Sequence, residues 1–284
     1  LIFYSQVMGV SAYLVSLALM IALIVDALSD PLIGYLSDNT RSRWGRRHPF
    51  MYAAALPAAM AYYFVWNPPS GLEGDALFPY IVTIAILVRT LVTVYGIPSS
   101  SLVAEMSDDY DERTSMLSYR YFFGWTGGTL MGAFATIFIL VPTATISNGM
   151  FNVEGHGQVG AIAAVIIFMA MMVSTMGTHK MIPDLKAPPP PRHMTIGLIY
   201  REVFETLASR SFLALFLAAL FGAVAAGVST TLSFYFSTFF WGFTTEQIGL
   251  ISLSVVISAL LAFFIAPIIS KKLGKKRGAI TVGL

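Results

Sequence analysis

The sequence predicts an all-α polytopic membrane protein, and three observations carry that reading. Its 284 residues are 56% hydrophobic and only 11% charged, with a mean hydropathy of +0.74, against about 25% charged in an ordinary soluble domain. Apolar stretches close to the ~20 residues that cross a hydrocarbon core as a helix recur along the chain, about seven in all. The lysines and arginines gather in alternate loops. A water-soluble globule is thereby excluded. The chain has no cysteine, which also removes disulfides, thiolate metal sites and thiol chemistry.

Apolar runs punctuated by glycine and proline place the spans at Ser11 to Ser37, Pro49 to Trp66, Phe78 to Ala104, Ser115 to Val141, Val159 to Gly177, Ser211 to Phe239 and Glu246 to Ile269. Before the first lies a stump, Leu1 to Tyr4, too short to cross, and a turn at Gly9. After the last, Gly278 to Leu284 reads as the start of another apolar segment. The chain therefore reads as the middle of something longer. Of the 17 basic residues, 15 fall in or beside one alternate set of loops and none in the other set, Asn67 to Leu77, Pro142 to Gln158 and Phe240 to Thr245. Basic loops stay in the cytoplasm, so the second set is expected outside. Arg89 and Arg120 alone lie within spans.

The long connection His179 to Arg210 contains four prolines, Pro188 to Pro191, a stiff spacer. It divides the chain into residues 1–178, a first helix bundle; 179–210, a cytoplasmic linker; and 211–284, the start of a second bundle. Within the linker, Ile196, Leu198, Ile199, Val203, Phe204 and Leu207 recur at helical spacing opposite Arg201, Glu202 and Glu205. This is the pattern of a helix in the membrane surface, or of a linker helix packed on the bundle. The first and last spans end alike. Pro31 and Pro267 are each followed by a basic residue, an apolar one, glycine (Gly45, Gly274) and two more basic residues, the weak internal symmetry of a transporter with two similar halves.

The last span has alanines, Ala262 and Ala266, where the first has Asp26 and Asp30. Such a helix forms without carboxylates, and a charge inside a span costs at least ~2.5 kcal/mol. The two acids are therefore read as functional. A spacing of four puts them on one helix face about one turn apart, and like charges that close stay ionised only with a cation between them; otherwise one takes a proton. Pro31 frees the carbonyl of Ala27 beside them. The competing reading is static pairing of Asp26 or Asp30 with Arg89 or Arg120, and the two readings can coexist.

Arg120 lies among Tyr119, Phe122, Phe123 and Trp125, a forked donor among aromatic faces that suits a polyhydroxylated or anionic ligand. Gly124, Gly127, Gly128 and Gly132 on the same span read as a groove for close helix contact. The third span carries Thr90, Thr93, Tyr95 and Ser99 to Ser101 around Pro98. Glu105, Asp108, Asp109, Asp111 and Glu112 follow it without the glycine or spacing of a calcium loop. They are expected to meet Arg41 to Arg47 as a cytoplasmic latch.

These segments resemble the glycoside, pentoside and hexuronide cation symporters, the melibiose-permease branch of the major facilitator superfamily. The likeness is carried by Asp26-Ala-Leu-Ser-Asp30-Pro31, the loop Gly34 to Asp38 and Arg43 to Arg47, Gly96-Ile-Pro98, Glu105 to Thr114, and Tyr119-Arg120. It implies a major facilitator helix bundle of twelve helices, of which this chain would hold the end of the first, the second to eighth and the beginning of the ninth. It further implies uptake of a sugar or glycoside coupled to Na+, Li+ or H+ by alternating access. Carried over residue by residue, the cation site falls on Asp26, Asp30, Thr93 and Ser29. Arg120 and Tyr119 fall at the sugar site. Gly96 stands where melibiose permeases have an acid on the third span, and Ser100 where they have a stacking tryptophan. Asp38, Arg43, Gly45, Arg46, Arg47, Glu105 and Arg113 fall at gating positions.

On this reading the chain is a multi-pass protein of the cell membrane, the bacterial inner membrane, acting as a monomer. It has a small-molecule substrate and the lipid bilayer as partners, no nucleic acid, and no cofactor beyond the coupling cation. No span contains a lysine for a retinal Schiff base, and the two acids share one helix, unlike an intramembrane aspartyl protease, so an enzyme is not expected. The alternatives are an uncoupled facilitator, a sodium-dependent lipid transporter of the same superfamily, and a ligand sensor that moves nothing.

Overall fold

The computed structural model describes residues 3–143, 146, 148–185, 196–274 and 277. Among these are eight α-helices: α1 (Ala12–Asn39), α2 (His48–Trp66), α3 (Phe78–Met106), α4 (Tyr110–Phe134), α5 (Val153–His179), α6 (Ile196–Leu207), α7 (Arg210–Tyr235) and α8 (Thr245–Leu273). Each predicted span is a helix, with α4 beginning at Tyr110 and not Ser115, and α5 at Val153 and not Val159. Wider π-type turns continue α4 over Ala135–Ile139 and α7 over Phe236–Phe240. The proline tract and Gly278 to Leu284 lie outside the described residues.

Among the described residues six helices are long and apolar enough to cross a membrane, where the sequence led us to expect about seven. The one that falls short is α2. Its 19 residues give it about 28 Å of length, but Pro49, Pro57, Tyr52, Tyr62 and Tyr63 dilute its apolar character. What it has instead is a run of small residues.

Two compact units emerge. The first comprises Leu1–Ser100 and Val153–Phe243. Within it α2 packs along α5 through buried Ala54, Ala55, Ala58, Ala59 and Ala61, facing Gly160, Ala163, Ala164 and Met171. Small side chains let two backbones approach, which in lipid replaces the hydrophobic drive as the source of association. At Gly160 the approach is closest, since a Cβ there would stand 2.5 Å from Cβ of Trp66. Residues Phe3, Tyr4, Val10, Val15 and Ala18 form a second cluster with Leu77 and Ile81. The α6 helix forms as expected, and the Tyr200 hydroxyl donates to the Leu28 carbonyl of α1. Arg201 pairs with Glu205 one turn on, at 2.8 Å. The side chains of Ile196, Ile199, Val203 and Leu207 are outside those described.

The second unit comprises Ser101–Asn152 and Thr244–Leu284. Here α4 packs on α8, with the rings of Tyr119 and Phe122 at 5.1 and 4.8 Å from that of Phe263. The tight contact is at Gly249 of α8, where a Cβ would lie 2.7 Å from both Thr136 and Ile137. The groove expected along α4 is corrected by this geometry: Cβ atoms at Gly124, Gly127, Gly128 and Gly132 would meet nothing within 4 Å. Among the described residues the α4–α8 contact is made instead by the ring of Phe263 and by Gly249.

Helix ends follow local chemistry. Asp109 caps α4, its carboxylate accepting from the backbone N–H groups of Asp111 and Glu112 at 2.7 and 2.9 Å. Asp111 and Glu112 sit in the first turn, where the helix dipole favours negative charge. Thr244 and Gln247 form a capping box on α8. The repeat glycines share a positive φ, +73° at Gly45 and +72° at Gly274; a side chain at either would strain the turn.

Candidate functional site

The geometry centres on one face of α1 against one face of α3, within the first unit. Asp26 and Asp30 stand a turn apart on α1; Arg89 and Thr93 stand a turn apart on α3. Arg89 donates through Nε at 2.9 Å and Nη2 at 2.6 Å, both to Oδ2 of Asp26. Thr93 donates its hydroxyl to Oδ1 of the same carboxylate at 2.9 Å. Three donors thus converge on Asp26, whose side chain is 14% exposed. Charge-assisted bonds of this kind are about twice as strong as neutral ones.

Asp30 is treated differently. Its Oδ1 is buried and has no hydrogen-bond partner among the described residues. A buried carboxylate oxygen left unpaired is costly to a fold and marks the place where a cation or proton is welcome. The ion pair of the static reading is made by Asp26 with Arg89, while Asp30 keeps this one oxygen unpaired. Pro31 lies within the continuous α1, and Ser29 donates its hydroxyl to the Asp26 carbonyl at 3.0 Å. No group of three or more His, Asp or Glu side chains placed to hold a metal ion occurs among the described residues. The oxygens around Asp26 and Asp30 are those of two carboxylates, two hydroxyls and backbone; both hydroxyls donate within the protein, and Oδ1 of Asp30 is the one left unpaired.

The other predicted positions divide between the units. Gly96 and Ser100 share a turn of α3, with the Ser100 hydroxyl donating to the Gly96 carbonyl at 2.5 Å. A Cβ at Gly96 would meet nothing within 4 Å, so the missing side chain leaves room there. Arg120 and Tyr119 are exposed on α4 in the second unit.

Of the gating positions, Arg47 is buried and pairs with Asp38 at 3.0 Å, closing the loop that follows α1. Gly45 turns that loop, hydrogen-bonded to Ser42 at 3.1 Å. Arg43 is exposed and Arg46 half-buried beside it. In the second unit Arg113 donates to the Ser107 carbonyl at 2.6 Å and pairs with Asp108 at 3.3 Å, with Glu105 half-buried one turn upstream. Each loop is thus braced from within.

Sequence reasoning left Arg89 as one of two possible partners and gave it no further role. The signal that singles it out is its spacing of four from Thr93, the same as Asp26 to Asp30. Also unanticipated is a polar cluster where α2 begins and α5 ends. His48 is fully buried, with Nε2 at 3.1 Å from the Thr178 hydroxyl, and Tyr52 lies 3.2 Å from Nδ1 of His179. The two imidazole rings meet edge to face at 5.8 Å.

Helices this apolar, holding two acids and an arginine within their spans, define a polytopic membrane protein with charged side chains inside its spans. The comparisons with known proteins agree on the class. A family model described as MFS/sugar transport protein matches residues 1–284. An uncharacterized symporter of Synechocystis is 34% identical over 181 residues, covering 62% of this chain and 32% of that protein. The inner membrane symporter YicJ of Escherichia coli is 28% identical over 203 residues, 72% of this chain and 42% of that protein. An isoprimeverose transporter of Lactiplantibacillus pentosus is 26% identical over 193 residues, 66% and 39% respectively. The chain belongs to the MFS/sugar transport protein family, a family of transporters and not of enzymes. It spans about a third to two fifths of the length of these curated relatives.

Proposed function

We propose that the full-length protein is a secondary active transporter that couples entry of a cation to uptake of a sugar or glycoside by alternating access. The observation that carries the reading is the α1–α3 site: a carboxylate pair inside the spans, one member bound by Arg89 and Thr93 and the other with an unpaired buried oxygen. A group of this kind gains most from capturing and releasing a positive charge. Family membership and the isoprimeverose transporter among its relatives support a sugar or glycoside as cargo.

In this reading Asp26, Asp30, Thr93 and Ser29 form the cation site. Arg120, Tyr119, Gly96 and Ser100 contribute to the substrate site, and Asp38, Arg43, Gly45, Arg46, Arg47, Glu105 and Arg113 to gating. Residues 1–178 belong to a first bundle, 179–210 to a linker and 211–284 to the start of a second. The basic loops face the cytoplasm of a bacterial cell, in its inner membrane, and the transporter works as a monomer. The Arg89 clamp on Asp26 favours one competing reading, an uncoupled facilitator in which that ion pair never opens. Uptake of radiolabelled isoprimeverose into membrane vesicles separates them. Symport predicts accumulation under an imposed proton or sodium gradient that an ionophore collapses; flux indifferent to every gradient supports the facilitator.

A further inference from the structure

An alkali cation held by a protein needs several oxygen atoms turned toward it, because hard cations trade their hydration shell for oxygen ligands. An ion on Asp26 would lie between its carboxylate and the Thr93 hydroxyl, which stand 2.9 Å apart. That position is taken. Oδ2 of Asp26 accepts both Nε and Nη2 of Arg89, Oδ1 accepts the Thr93 hydroxyl, and the Ser29 hydroxyl is turned to the Asp26 carbonyl. The Thr93 and Ser29 oxygens thus act as donors within the protein. An ion would need them turned around.

The charge count points the same way. Asp26 and Arg89 sum to zero, and a guanidinium stays protonated in any environment a protein offers. A sodium ion on Asp26 would sit within hydrogen-bonding reach of a permanent positive charge that is tethered to α3 and already holds the carboxylate by two charge-assisted bonds. The ion has nothing comparable to offer, since it must first shed its water.

We infer that Arg89 is a specificity-determining residue: a built-in cation that occupies the alkali-ion position on Asp26 and excludes sodium and lithium from this site. The inference rests on the symport reading of the α1–α3 site and narrows it. Gly, Ala or a neutral polar residue at position 89 would leave Asp26 open to an alkali ion; arginine fills it.

The test uses sodium itself as the probe. Binding of Na+ to the purified full-length protein is measured by calorimetry against choline chloride at constant ionic strength, with uptake of isoprimeverose into vesicles under a sodium gradient measured alongside. The wild type is expected to show no saturable sodium binding and no stimulation by the sodium gradient. Arg89→Gln and Arg89→Gly are expected to gain saturable binding, which Asp26→Asn in the same background removes. Saturable sodium binding by the wild type that is lost in Asp26→Asn overturns the inference, as does equal sodium binding by the wild type and Arg89→Gln. Should the Arg89 variants fail to fold, the wild-type and Asp26→Asn measurements decide alone. Failure of the symport reading has a separate signature: uptake that no ion gradient drives, including that of protons.

Discussion

The pair of Asp26 and Arg89 invites a double-mutant cycle of Asp26→Asn, Arg89→Gln and the two together. With Nη2 at 2.6 Å and Nε at 2.9 Å from one oxygen, the charge centres are about 4 Å apart, and at an effective dielectric constant of ~20 their attraction is about 4 kcal/mol. Arg89 is 42% exposed against 14% for Asp26. Screening on the open side discounts the attraction, to a coupling energy of about 2 kcal/mol, between exposed pairs and buried ones.

The signs matter more than the total. Asp26→Asn strands a guanidinium in mid-membrane, and Arg89→Gln strands a carboxylate. Each single change is therefore expected to cost more than the double change, which strands neither. Equilibrium unfolding of the full-length protein in mixed micelles reads all four corners. A coupling energy below about 0.5 kcal/mol, the level of an ordinary surface pair, would refute the reasoning. So would a double variant less stable than both singles.

Other outcomes follow from the packing. Gly160→Val drives a side chain into Trp66 and is expected to destabilise by about 1–3 kcal/mol, read as a lowered unfolding midpoint; Gly128→Ala, facing open space, should leave it unchanged. Asp109→Ala removes the α4 cap and should cost about 1 kcal/mol, with faster amide exchange confined to the first turn of that helix. Burial, and then the nearby His179, hold the His48 imidazole below its usual pKa of 6.5. The unfolded chain then binds the proton more readily, so the stability His48 contributes is complete above pH ~6.5 and lost as pH falls through its lower folded value. Amide exchange at the start of α2 should accelerate on acidification in the wild type and much less in His48→Gln. Tyr200→Phe, which removes the bond to the Leu28 carbonyl, should cost about 1 kcal/mol and loosen α6 alone.

The spans were legible because lipid imposes one rule, about 20 apolar residues with every backbone group bonded internally. The face shared by Asp26 and Asp30 was legible for a similar reason, since helical spacing fixes it before any tertiary contact forms. What the sequence left open was which helix faces that pair. Arg89 and Arg120 were equal candidates by charge and depth, and only the packing of α3 beside α1 distinguishes them. The α4 glycines show the opposite failure. A small residue permits a close neighbour without requiring one, so four glycines in helical register gave a groove where the structure has open space, while the isolated Gly160 and Gly249 made the tight contacts. The acidic loop after α3 was read for its total charge; in the structure Asp109 is a cap, a role that its place one residue before α4 could have revealed.

The central claim is that the α1 carboxylate pair is where ion and cargo are coupled. Its most direct test compares accumulation with exchange of a transported sugar in vesicles bearing the full-length protein with Asp30→Asn. The account predicts that accumulation under an ion gradient disappears while exchange of labelled for unlabelled sugar at equal concentrations continues. Accumulation undiminished in Asp30→Asn would contradict it.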